Sequence, residues 1–597
     1  MLQRIISGGA LFVLGLLLDG ILGTIALLAA WLVAGFDVIL EAIHKIGKKN
    51  FFDESFLMTI ASFCAVLLGE ITEAAAVMLF FQVGELFQNI AVERSRKSVA
   101  SLMDLRPDVA YIMRDCQIIA SDPEDVAVGD VLFVRPGERI PVDGIILEGL
   151  SSIDTSKITG ESVPADVGPG DNVLSGCINL SGVLKIKAES EYASSTVARI
   201  LELMDSASEG KSKTEDLINR FSRWYTPCVV LFAVVLAIIP PLFDGFRFTR
   251  WIYSALNFLV VSCPCALVIS VPLAFFGGMG AASKAGIIAK GGIALETLAK
   301  VDTIVLDKTG TLTTGKFRVI RVEAPDPKRL LTLVASAEQS SGHPIARGIV
   351  EAAGELVPIS QVWEIPGQGI SAVVDGHTVQ AGNKRLLDEL GISIPKVSGG
   401  TIVYAVIDGK FTGSIVLEDT LKKEAYTALV GLKKAGIPYA CMLTGDREDA
   451  AKAVARLLPL TDYRFGLLPQ DKVDAVKQMK TLGKTVAFVG DGVNDAPVMS
   501  LADVGIAMGG VGSDAAVEAS DLVLLKDDLS GLPKAVQIAR KTIRIAGQNI
   551  VFALVVKFGI LALSILGFAN MYMSVFADVG VAVLCILNSF RATKVSD

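Results

Sequence analysis

Long apolar segments alternate along this chain with two long polar stretches. A helix needs about 20 apolar residues to cross the roughly 30 Å hydrocarbon core of a bilayer. Segments of this kind lie near 3–18, 21–43, 55–69, 72–90, 224–243, 252–280, 547–568 and 572–590. The pattern therefore predicts a membrane-embedded α-helical bundle with eight spans.

Basic residues fall mostly on one side of these segments. They follow the second, fourth, sixth and eighth segments and precede the seventh, at Lys45, Lys48, Lys49, Arg94, Arg96, Lys97, Lys284, Lys290, Lys541, Arg544, Arg591 and Lys594. Arg247 and Arg250, in a short loop on the other side, are exceptions. Since basic loops stay cytoplasmic, both termini and both polar stretches are predicted to be cytoplasmic, in a plasma (inner) membrane.

The two polar stretches differ in pattern. Residues 95–210 contain short Val and Ile runs broken by Gly and Pro, which is typical of a small β domain. In residues 285–540, apolar strands such as DTIVLD, YACMLTGD and TVAFVGDG alternate with helical patterns, and each strand ends in an Asp-containing turn. This alternation predicts a doubly wound parallel sheet, interrupted by an insertion at 318–415, with its site at the carboxyl ends of the strands.

Composition narrows the classes of function. The 597 residues carry a net charge of −8 and are 52% hydrophobic, with a mean hydropathy of +0.54. These values indicate a chain with both bilayer segments and aqueous domains. We find no basic run of the kind that binds nucleic acid, so we expect no nucleic-acid partner. Three histidines are too few for a histidine-rich metal site, and eight scattered cysteines form no disulfide framework.

One pair of cysteines stands out, Cys263 and Cys265, on either side of Pro264 in the sixth apolar segment. Proline removes an amide donor and unwinds a helix, and irregular backbone is tolerated in a bilayer where it lines a site. Thiolates suit zinc, cadmium, lead or monovalent copper, and suit magnesium or calcium poorly. The motif therefore predicts a soft-metal site inside the membrane.

Charged residues inside the apolar segments point to the same site. Lys557 lies in the seventh segment, Asp578 in the eighth, and Glu73 near the outer end of the fourth. Such charges are usually functional because they are costly in a bilayer. Lys557 and Asp578 can neutralise each other without metal. Two thiolates and a carboxylate leave about one tetrahedral position open for a divalent ion.

The second polar stretch carries the residues for phosphoryl transfer. A buried strand delivers Asp307, in DKTGTLT, to the sheet edge, where its carboxylate can attack a phosphoryl group and form an acyl phosphate. A magnesium ion is expected to neutralise the anions, held by Asp307, the Thr309 carbonyl and Asp491. The other predicted participants are Thr444, Lys472, Asn494 and Asp495.

Together DKTGTLT, TGD and GDGVNDAP resemble the P-type ATPases, with a phosphorylation domain of the haloacid-dehalogenase type. TGES at 159–162 resembles that family's actuator loop, which implies that Glu161 orients the water that hydrolyses the aspartyl phosphate. The insertion resembles the nucleotide-binding domain of the heavy-metal branch. The residues that the resemblance implies in ATP binding are Glu338, His343, Gly367 and Gly369.

Cys-Pro-Cys, the membrane lysine and Asp-x-Gly resemble the zinc-, cadmium- and lead-exporting subgroup. The resemblance implies Cys263, Cys265 and Asp578 as metal ligands, Lys557 as a built-in counter-ion and Glu73 as a ligand on the exit path. A copper(I) pump is the main alternative, disfavoured by Lys557 and Asp578. A membrane-anchored phosphatase would need neither TGES nor Cys-Pro-Cys, and a non-catalytic metal sensor would not need Asp307 and Asp491.

The resemblance also implies a division of the chain. The predicted domains are spans 1–4 in 1–94, the actuator domain in 95–210, spans 5–6 in 211–284, the phosphorylation domain in 285–317 and 416–540, the nucleotide-binding domain in 318–415, and spans 7–8 in 541–597. Relatives commonly begin with a small cytosolic metal-binding domain, whereas this sequence opens in an apolar segment. A cytosolic metal carrier is a candidate partner.

Overall fold

The computed structural model describes residues 1–47, 54–100, 107, 109–114, 117–155, 164–199, 201–202, 212–262, 265–365, 368–392, 401–492, 495–509, 514–566, 568 and 570–594. The chain divides into two units. The first comprises Met1–Ala299 with Gln537–Asp597, and the second comprises Lys300–Val536.

Helices occupy all eight apolar segments predicted from the sequence. They are Leu2–Leu17, Ile21–Gly47, Glu54–Leu67, Ile71–Ala100, Lys213–Phe243, Phe248–Val261, Cys265–Lys284, Gly531–Ile565, Met571–Val575 and Val581–Ser589. By length and composition, four stretches among the described residues could each cross a membrane: Ile21–His44, Phe248–Lys284, Gly531–Ile565 and Tyr572–Thr593. Leu2–Leu17, Ser55–Leu67 and Pro227–Phe243 are shorter apolar helices. The membrane helices are therefore confirmed, and their number as eight spans stays a prediction.

The sixth and eighth predicted segments are not single α-helices. The sixth is described as two helices, Phe248–Val261 and Cys265–Lys284, on either side of Cys263 and Pro264. In the eighth, a π-helical turn at Phe576–Gly580 joins the two α-helices and carries Asp578. Single π-helical turns are rare and occur frequently at functional sites.

Small residues allow these helices to approach closely, as is usual in membranes. Ala34, Ala61 and Ala74 are at most 1% exposed in a core of apolar side chains. Gly84 faces the π-helical turn, where a Cβ on Gly84 would lie 2.6 Å from a methyl carbon of Val579. A larger residue there would push the helix away from Asp578.

The first polar stretch forms antiparallel sheets, which confirms the predicted β domain. Its strands are β1 Ala110–Arg114, β2 Gln117–Ser121, β3 Val131–Val134, β4 Gly144–Glu148, β5 Ser151–Asp154, β6 Ala165–Val167, β7 Asn172–Val173, β8 Ile178–Asn179 and β9 Leu184–Ala188. One sheet has the order β2-β1-β3-β9-β4-β7 and the other β6-β5-β8. The predicted TGES loop, with Glu161, lies outside the described residues.

The second unit contains the predicted parallel sheet. Strand β10, Ile287–Ala289, precedes this unit. The unit's strands are β11 Thr303–Asp307, β12 Thr313–Glu323, β13 Ile359–Ile365, β14 Gly369–Val374, β15 His377–Gly382, β16 Thr401–Ile407, β17 Lys410–Leu421, β18 Tyr439–Leu443, β19 Asp462–Arg464, β20 Val486–Gly490, β21 Val504–Ala507 and β22 Leu522–Leu524. Its parallel strands have the order β22-β21-β20-β11-β18-β19. The chain order reverses at β11, which is where such sheets bind ligands.

Helices connect these strands, as the alternating pattern predicts. They are Gly292–Lys300, Pro327–Glu338, Pro344–Ala353, Lys384–Glu389, Ala425–Lys434, Glu448–Leu457, Pro469–Thr481, Ala496–Leu501 and Asp514–Ala519. The insertion forms a separate antiparallel sheet, β12-β17-β16-β15-β14-β13, with its own apolar core. The predicted limits of the insertion, 318 and 415, both fall inside the paired strands β12 and β17.

Candidate functional site

Asp307 is the last residue of β11, the strand at which the parallel sheet reverses its order. All five residues of β11 are buried, and the strand hydrogen-bonds to β18 on one side and β20 on the other. Asp307 lies opposite Leu443, so Thr444 follows at the same edge. Asp491 follows the neighbouring strand β20 directly. The fold therefore brings the ends of three predicted motifs together.

Lys472 supplies a fixed positive charge to this edge. Its Nζ lies 2.6 Å from Oδ1 of Asp307 and 2.9 Å from Oδ1 of Asp495. It reaches them from the helix Pro469–Thr481, which begins with a proline at its first turn. Charge-assisted hydrogen bonds of this length hold both partners firmly in place, so Asp307 is oriented before any substrate arrives.

Three carboxylates share the site, with ligand oxygens of Asp307, Asp491 and Asp495 all within 4.8 Å of one another. Burial, helped by the Asp495 carboxylate and opposed by Lys472, raises the pKa of Asp307 to about 6. Burial and the charge of Asp307 raise the pKa of Asp491. Burial likewise raises the pKa of Asp495, although Lys472 opposes the shift. Lys472, together with Lys422, whose charge acts on Asp491, leaves the three carboxylates short of positive charge. Their all-oxygen donor set fits Mg²⁺.

The turn after Asp307 requires glycine at Gly310. Its φ is +73°, in the left-handed region that favours glycine. A Cβ built there would lie 1.7 Å from Oδ2 of Asp491, far inside contact distance. The glycine in DKTG is therefore explained by the close approach of its backbone to the Asp491 carboxylate.

We expect Gly310→Ala to reduce metal-stimulated ATP hydrolysis by at least about 100-fold, because the methyl group displaces the Asp491 carboxylate and positioning errors of this size carry such losses. Gly315→Ala is the matched control, since Gly315 also has a positive φ, +68°, but has open space around a Cβ. Both variants carry backbone strain. If they lose activity equally, the contact with Asp491 is not what matters at Gly310.

Lys422 lies beside the site, and sequence reasoning missed it. Its side chain is 3% exposed, its Nζ donates to the Gly310 carbonyl at 2.7 Å, and it forms an ion pair with Asp527. In the sequence it belongs to LKKEA, which reads as the solvated start of a helix. The proximity of its partners arises only in the fold, so the sequence contained no direct indication of it.

Two further acids lie beside the site: Asp446, which belongs to the TGD motif, and Asp419, which sequence reasoning missed. Asp446, the acid of TGD, forms an ion pair with Lys308 of DKTG, whose side chain is 6% exposed. Asp419 accepts a hydrogen bond from the Thr313 hydroxyl. The predicted Thr444 is buried, and its Oγ1 accepts the Asp446 amide at 3.1 Å. The TGD turn is thereby fixed against the DKTG turn.

The insertion contains a separate cavity of about 550 Å³. Predicted residues Glu338, His343 and Gly369 all line it, as does Asn383, which sequence reasoning missed. Burial, with the nearby Glu364, raises the pKa of Glu338 to about 7. His343 caps the helix Pro344–Ala353, and its Nδ1 accepts the amide of Ile345 at 3.2 Å. Its Nε2 therefore carries the proton when the ring is neutral and can donate to a ligand.

Inside the membrane helices, the predicted pair of charges is formed. Lys557 Nζ lies 2.9 Å from Oδ1 of Asp578, and it also donates to the Val261 carbonyl at 3.1 Å. Lys557 is 5% and Asp578 1% exposed. Val261 precedes Cys263 by two residues, so the pair contacts the backbone just before the Cys-Pro-Cys motif.

Glu73 has a different partner. The Tyr253 hydroxyl lies 3.0 Å and 2.8 Å from the two carboxylate oxygens of Glu73. Glu73 lies in the first turn of the helix Ile71–Ala100, and Tyr253 lies two turns before Val261 on the helix Phe248–Val261. At about 1.5 Å per residue, Tyr253, which contacts Glu73, lies about 12 Å along the helix from Val261, which contacts Lys557.

Some predicted residues cannot be placed. Cys263, Glu161, Gly367 and Asn494 lie outside the described residues, as does the side chain of Cys265. Thr309 is described, with extended backbone at φ −77° and ψ 129° inside the turn after Asp307. The roles predicted for all these residues stay predictions.

Comparisons with known proteins agree with this arrangement. A family model described as haloacid dehalogenase-like hydrolase matches residues 301–503, and the P-type ATPase actuator domain matches residues 104–205. The two models together define an enzyme that combines a dehalogenase-like catalytic domain with an actuator.

The most informative relatives cover nearly the whole chain. A "Cadmium, zinc and cobalt-transporting ATPase" of Bacillus subtilis is 44% identical over 100% of this chain and 86% of its own length. A "Zinc-transporting ATPase" of Synechocystis is 47% identical over 95% and 80%. A solved zinc-transporting PIB-type ATPase in an E2.Pi state is 35% identical, covers 99% of both chains and has a TM-score of 0.61. The chain belongs to the metal-transporting P-type ATPases.

Proposed function

We propose that this chain uses ATP to export a soft divalent metal ion, zinc and also cadmium or lead, through an aspartyl-phosphate intermediate. The observation that supports a divalent cargo is the buried Lys557–Asp578 pair beside the Val261 carbonyl. A carboxylate held by a removable counter-ion suits a divalent ion, since the ion can replace the ammonium. A monovalent copper ion would need neither charge.

Asp307 is the residue that attacks the γ-phosphoryl group of ATP. Lys472 orients its carboxylate at 2.6 Å and neutralises part of the charge that develops during transfer. Asp307, the Thr309 carbonyl and Asp491 would hold Mg²⁺, which supplies further positive charge when bound. Glu338, His343, Gly367 and Gly369 take the nucleotide, and Thr444, Asn494 and Asp495 complete the site.

Metal binds from the cytosol at Cys263, Cys265 and Asp578 and leaves past Glu73, while Glu161 activates the water that removes the phosphate. These steps need two distant sites coupled through alternating global states. We assign the chain to the plasma (inner) membrane, with its large domains and both termini cytoplasmic. The domains follow the predicted limits, except that the nucleotide-binding domain includes the whole of the paired strands β12 and β17, Thr313–Leu421. A cytosolic metal carrier is a candidate partner.

ATPase rates in reconstituted vesicles test the cargo directly. We expect zinc and cadmium, and also lead, to stimulate hydrolysis by at least about tenfold over the metal-free rate, and copper(I) to stimulate it little, because metal binding must precede phosphorylation. Cobalt completes the panel. Strong stimulation by copper(I) alone would overturn the divalent cargo and leave the ATPase class intact.

A further inference from the structure

A line of polar groups, buried at Asn257 and half-buried at Tyr253, connects the Lys557–Asp578 pair with Glu73. On the helix Phe248–Val261, Tyr253, Asn257 and Val261 recur one turn apart and so lie on one face. Both ends of this line contact residues with proposed roles. The Val261 carbonyl accepts a hydrogen bond from Lys557, and the Tyr253 hydroxyl donates one to Glu73. The residue in the middle of the line, Asn257, has no role in the proposed transport site or at the proposed exit.

Asn257 has a partner on the neighbouring helix. The Ser574 hydroxyl lies 3.2 Å from Oδ1 of Asn257, and Ser574 lies one turn before Asp578. Asn257 is 1% exposed and Ser574 is 0% exposed. Both helices thus present a polar group one turn from the Lys557–Asp578 pair, on the side towards Glu73.

Polar side chains at this depth carry a free-energy cost that packing does not explain. A leucine and an alanine would satisfy the apolar surroundings, in which Leu256 and Val260 are also buried. Polar residues inside a membrane are often functional, and a hydrogen bond between membrane helices, such as that between Ser574 and Asn257, adds little stability on average. Their alignment with both ends of the path points to a solute that moves along it.

The hydrogen bonds of Ser574 allow its oxygen to change partner. Its hydroxyl can also donate to the carbonyl of Asn570, at 3.2 Å. When the proton turns towards Asn570, the lone pairs of Ser574 Oγ and Asn257 Oδ1 can both face a cation. Zinc accepts oxygen ligands as well as sulfur and nitrogen, so these two atoms form a weak oxygen site.

We propose that Asn257 and Ser574 form an intermediate metal site on the release path, between the Cys263–Cys265–Asp578 ligands and Glu73. This inference rests on the proposed export function. The site replaces part of the ion's lost coordination for one step, and it is weak enough for the ion to leave, which is what passage through several sites requires. Its cargo is the divalent metal itself.

The test separates metal binding from metal release. In reconstituted vesicles, ³²P-ATP labelling gives phosphoenzyme formation, its zinc dependence gives cytosolic binding, and a lumenal zinc dye gives release. We expect Asn257→Leu to keep phosphoenzyme formation and the half-maximal zinc concentration within about twofold of the parent. Release should slow by about tenfold, as for loss of one contact to a charged group, and phosphoenzyme should accumulate.

Ser574→Ala and Ser574→Thr address folding, because they change the site by single atoms. We expect Ser574→Ala to slow release in the same direction and Ser574→Thr, which keeps the oxygen, to restore it. Ser564→Ala is the matched control. Ser564 is a buried serine whose hydroxyl donates to the Ser254 carbonyl at 3.5 Å, a hydrogen bond between two membrane helices that involves neither Asn257 nor Ser574. It should release zinc at the parent's rate.

The outcomes distinguish this inference from the function on which it rests. If the parent shows no zinc-dependent phosphorylation, the export proposal fails first. If the parent transports zinc and both Asn257→Leu and Ser574→Ala release it normally, the intermediate site is wrong. If Ser564→Ala is slowed as much as Ser574→Ala, the effect belongs to helix packing and the inference is overturned as well.

Discussion

Asp307→Asn should yield no acid-stable phosphoenzyme from radioactive ATP, and metal-stimulated ATP hydrolysis should fall by at least about 10³-fold. The amide keeps the shape of the side chain and removes the nucleophile, and loss of a covalent nucleophile has effects of this size or larger. The variant should still fold. Position 307 is only 7% exposed, and a neutral amide there is not repelled by the Asp491 and Asp495 carboxylates.

Asp302→Asn is the matched control for this variant. Asp302 immediately precedes β11, at the opposite end of the same strand, where its carboxylate accepts the Thr485 amide at 3.3 Å. We expect its phosphoenzyme level to stay within about twofold of the parent, since it changes only two hydrogen bonds far from the phosphorylated end of the strand, those from the Thr485 amide and the Thr303 hydroxyl. Normal labelling of Asp307→Asn, or loss of labelling in Asp302→Asn alone, would mean that Asp307 is not the phosphorylated residue.

The site at the edge of the parallel sheet could be predicted largely because its motifs begin where parallel strands end. Asp307, Thr444 and Asp491 follow β11, β18 and β20, and neighbouring parallel strands bring their carboxyl ends to one edge regardless of the loops between them. Lys472, which the sequence suggested as a fixed positive charge, lies 2.6 Å from Asp307 in the structure. The resemblance to a known family supplied the roles, and the sheet explains why these positions meet.

Lys422 and Asp446 show where sequence reasoning fails in the same site. Lys422 contacts the carbonyl of Gly310, which lies 112 residues earlier in the sequence. Asp446 forms an ion pair with Lys308, which lies 138 residues earlier. A pair of this kind follows from the angle at which a side chain leaves its element, which a linear pattern does not encode. Hydrophobicity likewise marks Lys422 as exposed, although its side chain is 3% exposed.

Hydropathy located the membrane helices but not their ends. The helix predicted from residue 547 begins at Gly531, and the helix predicted from 224 begins at Lys213, after the cap Ser212. Backbone hydrogen bonding continues beyond the bilayer, while hydropathy detects only the lipid-facing part. The π-helical turn around Asp578 has no pattern of its own in FADVG and could not be foreseen.

The two intramembrane charges should give opposite defects when each is replaced. Asp578→Asn removes the proposed metal ligand and the carboxylate partner of the Lys557 ammonium, and a charge at the centre of a bilayer costs at least about 2.5 kcal/mol. We expect the half-maximal zinc concentration for ATPase stimulation to rise by more than about 100-fold, since loss of even a group behind a ligand typically weakens binding 10–100-fold. At saturating zinc, phosphorylation by ATP should recover in part.

Lys557→Met should do the reverse. Methionine fills the volume of the lysine stem without its charge, so zinc no longer competes with the ammonium for Asp578. We expect zinc to bind at the same or lower concentration, while its release into the vesicle lumen slows by about tenfold or more. The reason is that nothing re-pairs with Asp578 to displace the ion when the pump opens outward.

The double variant Lys557→Met with Asp578→Asn decides whether the two residues act as a pair. If the 2.9 Å contact matters as proposed, the effects on zinc binding will not add, because residues in direct contact couple. Additive effects would mean that Lys557 acts independently of Asp578. Strong copper(I) stimulation of the parent, with Asp578→Asn indistinguishable from it, would contradict the divalent cargo, because a monovalent ion bound by two thiolates has no need of the carboxylate.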